Sequence, residues 1–313
     1  MIYHRGTSIR HLGLICLLFF IMSLLNGCSS KKEAVREGPL RDNTPQVLAP
    51  EASGELTYGN DIVSIDASHV SKGYIMVNYL GNNSKVKLQI EDPNAVDYTY
   101  LITDIGQFFV YPLTGGNGSY SISILESVDV EKDLYSISFT QNMDVTIENE
   151  FLPFLYPNHY TYFDASSAVV SKGEELSVDC YSDLDVVTNV YNYVTSNISY
   201  DTPKAENLSY GYTPVPDDTL ASGTGICFDY ASLMTAMLRS QRIPTKLEVG
   251  YSGDVYHAWI SCYVDEVGWV DDIIEFDGNS WSLMDPTLGA SNKKSDVKKY
   301  VGDGSNYTVK YTY

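Results

Sequence analysis

Between Ile62 and Ile147 the chain is a succession of short runs in which apolar and polar residues alternate, among them YIMVNYL, KVKLQIE, QFFVYPL, YSISILES and LYSISFT. Turn clusters such as GNNS, EDPN and TGGNGS separate them. A period of two places alternate side chains on one face, so each run reads as a strand with one buried face. Strands this short and this regularly punctuated predict an all-β, immunoglobulin-like sandwich over residues 57–150. No nucleophile, base and acid are grouped within it, which leaves spacing or partner binding as its expected role.

The pattern breaks at FLPFLYPN, Phe151 to Asn158, where prolines and aromatics interrupt the alternation. A helix is expected over roughly Asp183 to Ser196, because Val186, Val190, Tyr193 and Val194 recur at three- and four-residue spacing. Residues 200–220 read as a loop. A second helix is expected from about Cys227 to Ser240, with Cys227, Ala231, Met234 and Leu238 on one buried stripe, ended by Ile243-Pro244. The runs TKLEVGY, HAWISCYV and GWVDDIIEF then read as strands, the last joined through Asp277-Gly278 to SWSLMDPT in a hairpin. Helices packed on an antiparallel sheet make residues 151–313 an α+β domain.

Within that domain, GTGICFDYASLM sets a thiol at a helix start. A helical cysteine is usually a small buried hydrophobe. At a helix N-terminus, however, the unpaired N–H groups and the macrodipole favour an anion, so Cys227 is expected to lose its proton more readily than a free thiol. A cysteine nucleophile needs a base and a group to orient that base. His257, which opens HAWISCYV, and Asp285, which ends SWSLMDPT, supply both in chain order. The expected catalytic residues are Cys227 as nucleophile, His257 as general base and then acid, and Asp285 as the carboxylate that fixes the imidazole. Asp271 and Asp272 are the next carboxylates to try for the third role.

These blocks resemble the transglutaminase-like superfamily: Gly225-Ile226-Cys227 with Tyr230-Ala231, then His257-Ala258-Trp259, then Asp285-Pro286-Thr287. The Ile243-Pro244-Thr245-Lys246 run and Gly250-Tyr251 also look like elements of that family, and the resemblance covers about Val186 to Leu288. It implies a papain-like α+β fold and a thioester acyl-enzyme at Cys227, resolved by an amine or by water on a protein or peptide substrate. One oxyanion donor would be the Cys227 N–H. For the second, Tyr210 and Tyr212 are the upstream residues to consider. Nothing reads as an EF-hand or an acidic ligand run, and no metal or other cofactor is expected. The alternative reading is a catalytically idle binding or scaffolding module of the cell envelope.

The first 27 residues differ from the rest. Arg5 and Arg10 precede the apolar run LGLICLLFFIMSLL, and Leu25-Asn26-Gly27-Cys28 follows, resembling a bacterial lipobox. Residues 1–27 are therefore expected to be a lipoprotein signal peptide, with Cys28 carrying the lipid that anchors the chain at the bacterial cell surface. Residues 28–56, polar and proline-containing, read as a flexible tether. Loss of Arg5 and Arg10 with the signal takes the formal charge from −20 to −22, which repels nucleic acid. Cys180, Cys227 and Cys262 then remain, an odd number without C-x-x-C spacing. A Cys180–Cys262 bridge leaving Cys227 as the thiol is one arrangement they allow.

Overall fold

The computed structural model describes residues 38–265, 268–270, 275–276, 281–282 and 307–313. Cys28, Asp285 and the expected signal peptide lie outside them. Four of the first eight strands, β1 (Thr57–Asn60), β2 (Val63–Asp66), β3 (Tyr74–Tyr79) and β6 (Phe109–Pro112), form an antiparallel sheet in the order β1-β2-β3-β6. The others, β4 (Val86–Glu91), β5 (Asp97–Ile102), β7 (Gly118–Asp129) and β8 (Leu134–Val145), form a second in the order β5-β4-β7-β8. Alternation sets which face is buried: Val86, Leu88 and Ile90 of β4 point inward together with Tyr120, Ile122 and Ile124 of β7. Each such aliphatic side chain contributes about 1.5–3 kcal/mol by leaving water.

Among the described residues five helices follow: α1 (Ala168–Leu176), α2 (Asp183–Asn197), α3 (Thr202–Glu206), α4 (Pro216–Ser222) and α5 (Cys227–Ser240). Short α3 and α4 occupy what the sequence presents as a loop. The Ser182 hydroxyl and the Asp185 carboxylate cap α2 reciprocally. Helix α5 packs against β11 (Thr245–Ser252) and β12 (Val255–Val264) on one side and against α1, α2 and α4 on the others. It is consequently buried from Asp229 to Ser240 all the way round, not along one stripe as its spacing suggests. The sheet it covers has the order β13-β12-β11-β16, with β13 at Gly268–Val270 and β16 at Tyr307–Thr312. Strands β14 (Glu275–Phe276) and β15 (Trp281–Ser282) pair antiparallel, as the hairpin reading expects. Between Ser199–Tyr200, β9, and Thr224–Gly225, β10, a two-residue parallel pairing ties the end of α2 to the turn before α5.

The described residues from Leu40 onward belong to one compact unit. The expected boundary near residue 150 is bridged by aromatic rings: Tyr100 of β5 stacks on Tyr160 at 5.4 Å and Tyr111 stacks on His159 at 5.3 Å. Tyr313 meets Tyr98 and Tyr160 edge-on. Part of the expected tether is also fixed. Arg41 pairs with Asp183 at 2.5 Å, its N–H donates to the Cys180 carbonyl, and Gln46 N–H donates to the Ser240 carbonyl. Arg242 donates to the carbonyls of Asp42 and Thr44. The segment has no internal period because its backbone partners lie on other elements. Among the described residues no helix is long and apolar enough to cross a membrane.

Candidate active site

The turn before Cys227 depends on two glycines. Gly223 caps α4 at φ 65°, ψ 22°, a left-handed conformation that a side chain would strain. Gly225 lies so close to Asp229 that a Cβ there would meet the aspartate Cβ at 2.7 Å. Ser199 N–H to the Gly223 carbonyl and Asp201 N–H to the Gly225 carbonyl then hold the turn against the end of α2. Ile226 is extended and Cys227 begins the helix, so the thiol stands at a helix N-terminus as expected.

Antiparallel pairing of β11 with β12 sets His257 opposite Gly250. His257 is 7% exposed, and its ring lies nearly parallel to that of the buried Trp259. Cys227 and His257 both line one pocket of about 680 Å³. The N–H of Ala258, the residue after His257, bonds to the Cys227 sulfur. Structure therefore brings two of the three expected catalytic residues to one wall, while Asp285, and with it Asp271 and Asp272, lie outside the described residues.

One expectation is corrected. Burial pushes the Cys227 thiol above its ordinary value, and Asp229 adds to the rise, while N–H groups of Ala258, Phe228 and Cys227 pull it down without prevailing. Loss of hydration penalises a thiolate more than three N–H groups repay here. The helix-end effect acts in the expected sense and is outweighed.

Beside the thiol lies a polar cluster that sequence spacing does not reveal. Asp229, fully buried, accepts from Ile226 N–H at 2.8 Å, from Lys204 Nζ at 2.6 Å and from the Tyr212 hydroxyl. Lys204 Nζ also donates to the Tyr212 oxygen at 2.6 Å. Tyr212, proposed by position as an oxyanion donor, is thus committed to Asp229, and its pKa is raised by burial first and by that carboxylate next. Tyr210 is 68% exposed at the pocket mouth. Tyr200 lines the pocket too, its pKa raised by burial and then by Cys227 and Asp229. An acidic residue in a helix first turn was the only advance sign of Asp229; Lys204 and Tyr200 had none.

Tyr160, Phe228 and Tyr256 give the pocket an aromatic lining, and Thr99 and Leu101 of β5 contribute to the same wall. Cys180 and Cys262 are buried thiols, so the bridge between them is not formed. Among the described residues no three His, Cys, Asp or Glu side chains come together as a metal-holding group.

Residues 172–272 match the transglutaminase-like superfamily. That span contains Cys227 and His257 and ends before Asp285. Among solved structures the chain is similar to a candidate cysteine protease from Cytophaga hutchinsonii, 16% identical with a TM-score of 0.34, over 63% of this chain and 69% of that one. A candidate protease from Parabacteroides distasonis is 12% identical with a TM-score of 0.27, over 65% of this chain and 61% of that one. No curated protein matches the chain.

Proposed function

We propose that this chain is a cysteine-dependent acyltransferase or hydrolase acting on peptide or protein amides. The observation that carries the reading is that Cys227, at a helix start, and His257, at a strand, face one pocket. In the proposed reaction the Cys227 sulfur attacks the amide carbonyl and His257 moves the thiol proton to the departing amine, leaving a thioester. Water then releases an acid, or a second amine takes the acyl group, and Asp285 orients the imidazole through both halves. The Cys227 N–H is the first oxyanion donor. The order of basic residues, apolar run and Cys28 supports a lipid anchor at the bacterial cell surface. The strand orders β1-β2-β3-β6 and β5-β4-β7-β8 support an immunoglobulin-like reading of residues 57–150.

The test is incubation with a glutamine-rich protein, with and without a labelled primary amine, followed by mass spectrometry. Label on glutamine marks transfer, a gain of about one mass unit marks deamidation, and new termini mark proteolysis. The product is expected with the native chain and not with Cys227→Ala. The upward-shifted thiol favours a second reading, an idle binding module. That reading expects iodoacetamide to alkylate Cys227 no faster at neutral pH than the buried Cys180 and Cys262.

A further inference from the structure

A second cavity, about 610 Å³, adjoins the catalytic pocket, and His159 and Thr213 line both. Thr213 Oγ1 lies 3.4 Å from His159 Nε2, so one side-chain pair stands between the two spaces. The walls come from separate stretches of the chain, with Leu48 and Pro50, Met76, Phe108, Tyr162 and Val215 among them. Phe108, Tyr162 and Val215 are 36, 63 and 47% exposed, an apolar patch that gains by being covered.

Three features select the occupant. Asn158, 2% exposed, lines this cavity; its Oδ1 accepts from Tyr160 N–H at 3.0 Å, but its Nδ2 has no hydrogen-bond partner among the described residues. A buried amide N–H left without an acceptor costs about 1–3 kcal/mol, so a ligand carbonyl there is favoured. Among the described residues the carboxylates facing the cavity are Asp104 and Asp164 and no Lys or Arg lines it, and burial keeps His159 neutral, its pKa lowered to about 4. Such a lining disfavours an anion. Finally, the cavity continues the pocket of Cys227, and a polypeptide whose amide reaches that sulfur must extend beyond it.

We propose that the two cavities are consecutive parts of one substrate cleft, and that the second holds an extended, apolar, neutral or basic stretch of polypeptide flanking the amide at Cys227. Asn158 Nδ2 donates to one of its carbonyls. The assignment rests on Cys227 as nucleophile for its place in the cleft, but binding can be read without turnover.

Fluorescence anisotropy on the Cys227→Ala protein tests it with four probes. These are a fluorescein-labelled decapeptide of Leu, Phe and Gln with terminal lysines, the same peptide with Glu for Lys, the same with Ser for Leu and Phe, and a fluorescent long-chain fatty acid. The first is expected to bind about tenfold or more tighter than the second and third. Phe108→Ser with Tyr162→Ser is expected to weaken it about fivefold or more while the melting temperature moves by no more than a few degrees. If that pair melts without cooperativity, Val215→Lys, at an exposed side chain, gives the same reading. Equal binding of the three peptides, binding untouched by these substitutions, or capture of the fatty acid alone would overturn the proposal. Peptide binding as expected, with no turnover of the same peptide by the native chain, would count against Cys227 as nucleophile and leave the cleft standing.

Discussion

The strand region, residues 57–145, and the helical region around α5 both bury polar groups, and the farthest-reaching partners are those of the helix. In the strand region Asp92 accepts from Asn94 and Val96 N–H groups, closing its own turn. On α5, by contrast, the fully buried Arg239 donates to the carbonyls of Tyr156, Thr245 and Tyr313. Burial lowers its pKa to about 9. Asp229, ten residues earlier on the same helix, draws its partners from Ile226, Lys204 and Tyr212. A local turn tolerates change at a distance. A helix buried on all sides, with polar side chains answered from remote segments, fixes those segments to one another.

The largest expected effect separates a buried ion pair from an exposed one. Lys204→Met leaves the Asp229 carboxylate buried without its cation, and urea unfolding should show a loss of about 3 kcal/mol. Lys204→Met combined with Asp229→Asn should recover most of that loss, because no uncompensated charge remains. Equal loss in the single and double variants would show that the pair is not what links α3 to α5.

The next expected effect is pH-dependent and sits where the two regions meet. His159 has its pKa lowered from 6.5 to about 4 by burial, partly offset by Asp104. Above pH 6.5 both folded and unfolded chains hold it neutral. Between 6.5 and 4 only the unfolded chain takes the proton, so stability falls as pH falls, by about 3 kcal/mol over that window. His159→Phe removes this component; unfolding measured from pH 7 to pH 4 should lose less stability in the variant than in the native chain. Parallel curves would place the protonation elsewhere.

The smallest expected effect is on the strand side. Lys132 and Asp129 pair at 2.9 Å in the β7–β8 connection, with the lysine 73% exposed. Lys132→Ala should leave the melting temperature unchanged, since water and salt screen such a pair. A drop comparable to that of Lys204→Met would erase the distinction between the regions.

Some of this was readable in the residues. Alternation in KVKLQIE and YSISILES marks β4 and β7, and the turn before Cys227 marks where α5 begins. Strand β5, DYTYLI, and helix α1 fall outside those patterns, although Tyr98, Tyr100 and Ile102 alternate. Both contribute to a shared core whose other half lies more than fifty residues away along the chain. Cys227 and His257 were legible because each begins an element with its own local pattern. Lys204, Tyr212 and Asn158 sit where no period exists to give them away.

Neighbours along the chain are enough to set the strand alternation, the glycine turn, the helix start near Cys227 and the chain order of Cys227 and His257. Tertiary structure decided what depends on neighbours in space. It brought Cys227 and His257 into one pocket, held residues 41–46 against the folded unit, and turned the thiol's pKa upward. The reason is one of range. A helix end acts within a single turn and can be read from a few residues, whereas desolvation is set by everything that packs around the sulfur.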